Sequence, residues 1–522
     1  MLKVQRWPVV ALAALCIFQI AAVMGYLNRQ GRLSIVPIYD DVVYFIDGMK
    51  RLSVLDQAGL QGFAAEYLTN PPHAPFMAAS ATFGYLLTGG ATWGPYLLNS
   101  GWVLAIAYLL YVTLRDVPAW SRFGLVVAAL SAPMFGFVIA EFRPDPSWGL
   151  LVGCSVVALA GVDLTAVSPL RLVALGLLFG TAVVAKPTGF MPAGAVIGAA
   201  FLAQLVATNI LLPKAEKKDL ARNTGIVALG AAAVLVPYFS VAGADIVAYI
   251  LTVLKGDSAV WETKTDAIGH LSYYIARDTG RAMLGWFWYL AVPTLILCGA
   301  LLIRCTDRRA LCGFVGVCVA LLLAYLAVSV SHVKSLMIGS LFYGTAIAAT
   351  VWAAGQIVLR ARLPQVVVVV LGVAIFIVQW TPRAGMLHRS DPSMIATDTA
   401  TKAAFPAVLQ AMQESAGTVM VTVPGPVYAG TLDFLALQQG VSRPFISGYT
   451  WATWEQFTSG VEASSTIVLS EAGMRGQALG FAFPSVQFQE RLLAALRADA
   501  RFVGRPVYTD EAGRSVWLFG RK

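Results

Sequence analysis

"FGLVVAALSAPMFGFVIAEFRPDPSWGLLVGCSVVALAGV", residues 123–162, holds two long apolar runs separated by a short stretch in which Glu141, Arg143 and Asp145 alternate with Phe142, Pro144 and Pro146. A bilayer core about 30 Å thick needs roughly 20 apolar residues of helix, because each residue rises only about 1.5 Å. The two runs approach that length, and their charges lie between them, where Pro144 and Pro146 stop one helix and start the next. The whole chain repeats this pattern. Of its 522 residues 58% are hydrophobic and only 12% are charged, against about 25% in an ordinary soluble protein. The composition is that of an integral membrane protein.

Working outward, apolar runs near 7–26, 94–114, 123–140, 147–162, 170–185, 188–210, 224–242, 282–303, 310–330, 336–359 and 364–380 predict about eleven spans. The first follows Lys3 and Arg6 and resembles a signal peptide, but it is long enough to span and ends without a small-x-small cleavage site, so an uncleaved helix is expected. With the N-terminus cytoplasmic, the inside loops carry Arg115 and Arg122, Arg171, "KAEKKDLAR" (214–222), "RCTDRR" (304–309), and Arg360 with Arg362. That is the positive-inside bias, and it accounts for the net charge of +9 without nucleic acid. The six cysteines have no metal-ligand spacing and imply no disulfide framework.

The fold class expected is an all-α polytopic membrane domain over 1–380, followed by a soluble C-terminal α/β domain over 381–522. Two long outer loops, 27–93 and 243–281, interrupt the membrane domain. In the first, "PPHAPFMAASATFGYLLTG" (71–89) is too short to span and predicts a helix lying at the interface; the second predicts short interfacial helices. In the C-terminal region, 399–417 and 489–502 have helical periodicity. Residues 418–423 and 465–470 read as strands, and 506–520 as a hairpin turning on "DEAG". No phosphate loop, zinc spacing or nucleophile elbow occurs there, so it reads as a scaffold or substrate-positioning module.

The spans contain almost no ionisable side chains. Ion-coupled transporters place such groups inside the membrane. Here they gather at the outer ends: Asp40 and Asp41 in "YDDVVYF", His73, Glu141 with Arg143 and Asp145, Lys186 in "VAKPTGF", and His332 with Lys334 in "VSHVKSL"; His270 and His388 share that face. Singly, each has an ordinary reading as a solvated loop charge, a turn residue or a snorkelling lysine, and Arg29, Arg32, Lys50 and Arg51 suit an anionic acceptor or an anionic lipid surface, with plain solvation the commoner reading of such loop charges. Together they put cations suited to a lipid phosphate opposite carboxylates suited to deprotonating a hydroxyl or holding a divalent metal. Tyr39, Tyr44 and Phe45 flank the first pair, where partial burial raises a carboxylate pKa.

On these residues the chain resembles the multi-span glycosyltransferases of the GT-C class, which includes protein O-mannosyltransferases, the aminoarabinose transferase of lipid A and mycobacterial arabinosyltransferases. "YDDVVYF" is similar to the Asp-Asp/Glu motif of the first loop, with Asp41 in place of the commoner Glu and Tyr44 matching. "NPPHAPFM" is similar to the Pro-Pro stretch that closes that loop, with Asn70 where His or Lys is usual. "FRPDPSW" sits where the second acidic motif belongs, and "AKPTGF" and "SHVKSLMIGSLFYG" resemble the later lysine-bearing segments. The resemblance implies an inverting transfer of a monosaccharide from a polyprenyl-phosphate sugar donor to a hydroxyl of a glycan, lipid or protein acceptor, at the outer face of a bacterial plasma membrane. It makes Asp40 the general base, and has Asp41 orient the acceptor or, with Asp40, hold a divalent metal such as Mg2+, Mn2+ or Ca2+. Asp145 and Glu141 would hold the acceptor or polarise the site, and Arg143, Lys186 and Lys334, with His332 and His73, would hold the donor phosphate. Three other readings stay open: a flippase of lipid-linked sugar, a polymerase or ligase relying on arginines, and an assembly protein whose outer domain binds a partner.

Overall fold

The computed structural model describes residues 6–213, 218–255, 261–383, 392–422, 425–474 and 483–522. Lys3, Lys214, Lys217 and His388 lie outside them. Helix α1 (Arg6–Arg29) buries Leu12, Cys16, Ile20, Val23 and Leu27, one stripe at helical spacing, and leaves Ile17 and Phe18 exposed. Helix α2 (Tyr39–Thr69) is kinked at Gly59, whose φ of 65° is left-handed, and α3 (Pro75–Thr88), 14 residues long, packs back on it. Gly48 makes that approach possible, since a Cβ there would come within 2.2 Å of Ala81.

The bundle continues through α4 (Trp93–Asn99), α5 (Gly101–Thr113), α6 (Ala119–Leu130), α7 (Pro133–Ala140), α8 (Pro144–Ala160), α9 (Pro169–Val184), α10 (Phe190–Leu211) and α11 (Leu220–Lys255). After the short α12 (Ala267–Ser272) and α13 (Arg277–Leu284) come α14 (Phe287–Arg304), α15 (Arg308–Ser329), α16 (Ser340–Ala361) and α17 (Gln365–Arg383). Among the described residues seven helices are long and apolar enough to cross a membrane, α4 with α5 counting as one, or eight if the pair α6 and α7 forms one broken span. Exposed Val206, Ile210, Val236, Ile296, Leu322 and Val370 give the bundle an apolar exterior that suits lipid and not water. This is a multi-pass membrane fold.

Two expectations change, and the span count is not confirmed. The run 123–140 is not one straight span: α6 and α7 meet at 67°, because Pro133 starts a new helix. The carbonyls freed at the break are taken by buried amides, with Gln19 Nε2 donating to Leu130 O at 3.0 Å and Gln379 Nε2 to Ser131 O at 2.8 Å. The runs 147–162, 170–185 and 364–380 form α8, α9 and α17 of 17, 16 and 19 residues, which lie outside the seven or eight crossings counted among the described residues, so the expected count of eleven is not confirmed. The start of the second loop is instead the end of α11, whose apolar pattern runs on past 242 to Lys255; α12 and α13 are the short helices predicted beyond it.

Helix α8 is the hub. Every residue but Ala158 is buried, and it crosses α16 at glycines: a Cβ on Gly149 would lie 2.0 Å from Ser340 O, and one on Gly344 2.2 Å from Gly149 C. Small residues four apart, Gly149 and Gly153, let the two backbones touch. The first turn of α8 is therefore held on a fixed element, and that turn carries Asp145.

Beyond the bundle, α18 (Pro392–Glu414), β1 (Thr418–Val421), α19 (Ala429–Gln438), β2 (Phe445–Ser447), α20 (Trp454–Ala463), β3 (Ser464–Ser470), α21 (Gln489–Ala498), β4 (Phe502–Thr509) and β5 (Ser515–Arg521) build a five-stranded sheet in the order β2-β1-β3-β5-β4. β1 runs parallel to β2 and β3, while β5 is antiparallel to β3 and β4. Alternation sorts the sides: Val419, Val421 and Val468 face α18 and α19, while Met420, Ile467 and Leu469 face α20 and α21. The expected strands and hairpin are present, the hairpin turning at Asp510–Gly513. Helices α19 and α20 and strand β2 are additional to the expected elements.

Candidate active site

Asp40 and Asp41 occupy the first turn of α2, where the helix dipole favours carboxylates. Consecutive helical positions lie about 100° apart, so the two side chains part. Asp41 turns inward, 2% exposed, and accepts from Tyr96 Oη at 2.6 Å and Arg32 Nη2 at 3.3 Å; Arg32 is itself 4% exposed. Burial first, and the nearby Glu141 charge second, push the Asp41 pKa up to about 6 against the opposing pull of Arg32. Asp40 turns outward, 58% exposed, and accepts a hydrogen bond from Arg143 Nη2. The shared metal expected at this pair does not fit, because the carboxylates face different partners. No group of three or more His, Cys, Asp or Glu able to hold a metal occurs among the described residues. The side chain of Tyr39 lies outside the described set.

Arg143 sits in extended backbone between α7 and α8, with Pro144 opening the next helix. Its Nε lies 3.9 Å from Asp145 Oδ2, and Lys186 Nζ is 2.5 Å from Asp145 Oδ1. Burial alone would lower the Arg143 pKa, but Asp40, Asp145 and Glu141 outweigh it and raise it. Lys186, in the turn after α9, lies 5.2 Å from the centre of the Trp148 ring. That ring packs against Gly189, where a Cβ would come within 2.6 Å of it. Asp40, Arg143, Asp145 and Lys186 thus form one alternating chain of charge drawn from three elements.

Tyr44 and His73 border this chain. Burial, then the Asp145 and Asp40 carboxylates, push the Tyr44 phenol well above its ordinary pKa, so it stays a neutral donor. His73 packs edge to face on Tyr249, with ring centres 4.8 Å apart. Burial and then the Lys186 charge lower its pKa while Asp40 raises it. Glu141 caps α7 and acts electrostatically on Asp41, Arg32 and Arg143.

Lys334 and His332 are placed differently. Lys334 Nζ donates to Ser329 O at 2.7 Å and Val328 O at 3.2 Å, neutralising the carbonyl end of α15. His332 is 77% exposed and faces Glu262 at 3.9 Å. None of these contacts joins them to the Asp40 chain. Conversely, Arg32 and Arg51, read from sequence as solvated loop charges, are buried. Arg51 bonds Asp47 and the Asn70 carbonyl and lies over Tyr67. Tyr96 was also missed; inside an apolar run, nothing marked it as a partner of Asp41.

The chain has the GT-C fold, as its superposition on solved structures shows. The solved structures that share it include ArnT from Cupriavidus metallidurans, the lipid A aminoarabinose transferase. Bound to undecaprenyl phosphate, it superposes with a TM-score of 0.59 at 14% identity, covering 99% of this chain and 98% of that one. In the apo state the values are 0.60, 13%, 98% and 97%. The apo oligosaccharyltransferase of Archaeoglobus fulgidus gives 0.52 at 10% identity, over 90% of this chain and 70% of that one. No family model matches the chain, and no curated protein matches it by sequence.

Proposed function

We propose that the protein is a polyprenyl-phosphate-sugar-dependent glycosyltransferase of the bacterial plasma membrane, working at the outer face with its N-terminus cytoplasmic and its C-terminal α/β domain, residues 381–522, outside. The observation that carries this reading is the alternating chain Asp40, Arg143, Asp145 and Lys186, set in a fold whose solved relative ArnT binds undecaprenyl phosphate.

The proposed reaction inverts the sugar. An acceptor hydroxyl oxygen attacks the anomeric carbon opposite the phosphate, and the bond from that carbon to the phosphate oxygen breaks. Its electron pair leaves with polyprenyl phosphate, and the hydroxyl proton passes to Asp40. Asp40 suits the role because it is the exposed carboxylate of the pair. Arg143 and Lys186 stabilise the growing phosphate charge, which in such transfers is a major electrostatic contribution. Arg143 carries five donors, so it can hold Asp40 and a phosphate oxygen at once. Asp145 orients Lys186, Tyr44 donates a neutral hydrogen bond, and Glu141 sets the local field. Asp41 is a positioning residue, fixing the first turn of α2 through Arg32 and Tyr96. Lys334 and His332 have no part in this reading, and no step runs through a metal.

Purified protein in lipid, given a panel of synthetic polyprenyl-phosphate sugars and membrane extract, tests it. Release of polyprenyl phosphate with transfer of labelled sugar supports the reading. Donor binding without turnover, or transbilayer movement of intact donor, overturns it.

A further inference from the structure

The C-terminal unit brings a row of aromatic rings to the edge of the Asp40 site. Tyr428, just ahead of α19, lies beside α2: a Cβ on Gly430 would touch both the Tyr428 ring and Val42 Cγ1 at 3.0 Å, two residues from Asp40. The Asp40 charge acts on the Tyr428 phenol, and Tyr428 shares a side-chain hydrogen bond with Tyr449. The row continues from Tyr428 to Tyr449, ring centres 6.1 Å apart, then to Phe483 at 5.4 Å and Trp261 at 5.6 Å from Phe483.

These rings are held in place. Ser485 Oγ donates to the Tyr449 carbonyl at 2.6 Å. The segment after Trp261 is fastened to the next loop, with Thr263 N–H donating to His332 O at 3.0 Å and Lys334 N–H to Thr263 Oγ1 at 3.0 Å. Tyr428, Tyr449 and Trp261 are each only partly buried. Aromatic rings carry flat negative faces and positive edges, and these three are left half open. The C–H face of a sugar ring is apolar and weakly positive, and it lies flat on such a surface; the phenol and indole edges supply hydrogen bonds to its hydroxyls.

Resting on the transferase reading, we infer that Tyr428, Tyr449 and Trp261 form the acceptor subsite, and that the acceptor is a carbohydrate which stacks on them while presenting one hydroxyl to Asp40. This assigns the acceptor side to the C-terminal unit and the loop after α11, and the donor side to α8 and the turn after α9.

The test is calorimetric titration of the full chain in nanodiscs with mannotriose, maltotriose, chitotriose and an arabinofuranose trisaccharide. A serine-rich peptide is titrated in parallel, and undecaprenyl phosphate separately. The expected result is that at least one trisaccharide binds and the peptide does not. Tyr428→Ala and Trp261→Leu should each weaken that trisaccharide by tenfold or more, with undecaprenyl phosphate affinity within twofold of wild type, which also shows that the variants are folded. Peptide binding without saccharide binding, no saccharide binding by a protein that binds undecaprenyl phosphate, or saccharide binding unchanged by both substitutions would overturn the inference. Loss of undecaprenyl phosphate binding by the wild type itself would count against the transferase reading and with it the inference.

Discussion

The backbone N–H of Val36 donates to Asp398 Oδ1 at 2.8 Å, tying the segment that leads into α2 to a helix 362 positions further along the chain. Lys402 reinforces it, bonding Asp398 Oδ2 at 2.8 Å and the Ser34 carbonyl at 3.3 Å, and Thr431 Oγ1 donates to Pro37 O at 2.7 Å. Phe434 of α19 also packs on Phe45 of α2. The C-terminal unit therefore grips the turn that sets the direction of Asp40. Asp398→Ala should lower kcat on the order of tenfold through misplacement of that turn, with donor affinity unchanged. Asp398→Asn, whose amide oxygen can still accept from Val36, should recover most of the rate; single-turnover kinetics with donor titration reads both.

Asp41 gives a pH signature. Its folded pKa is raised, to about 6, so between about pH 4 and 6 the folded state binds more protons than the unfolded state and stability falls as pH rises. Thermal unfolding in detergent from pH 4 to 8 should show the wild type losing stability across that window relative to Asp41→Asn. Arg32→Met leaves the buried carboxylate unpaired and should cost about 3 kcal/mol at pH 8. Parallel curves for wild type and Asp41→Asn would contradict this assignment.

Lys186 makes a separable prediction. A charge-assisted hydrogen bond to a phosphate contributes about 1.5–3 kcal/mol, so Lys186→Met should weaken undecaprenyl phosphate binding about 10- to 100-fold. It also leaves buried Asp145 to the longer 3.9 Å contact with Arg143 and should lower the unfolding temperature. Adding Asp145→Asn should restore that temperature but not the affinity.

The α8 and α16 crossing is set by backbone contact. Gly149→Val places a side chain where Ser340 O already lies, and the overpacking should cost on the order of 3 kcal/mol. Gly194→Ala, with open space around its Cβ, should be neutral in the same unfolding assay.

The membrane character and the sheet were readable because apolar length and strand alternation are local signals. The break at Pro133 was not, since its stabilising partners Gln19 and Gln379 lie far away in sequence. Asp40, Arg143, Asp145 and Lys186 could be nominated from motif and charge. What sequence could not separate was the outward Asp40 from the inward Asp41, because the difference lies in the contacts of Arg32 and Tyr96. Lys334 looked like the same kind of cation as Lys186, yet it closes a helix end. Its role depends on which carbonyls the fold brings to it.

The most direct measurement is sugar transfer from a polyprenyl-phosphate donor by wild type and Asp40→Asn side by side, with donor binding measured on both. Both should bind the donor, the wild type should transfer sugar with inversion, and Asp40→Asn should lose at least about 100-fold in kcat. Equal transfer by the two proteins would contradict the role of Asp40 as the base.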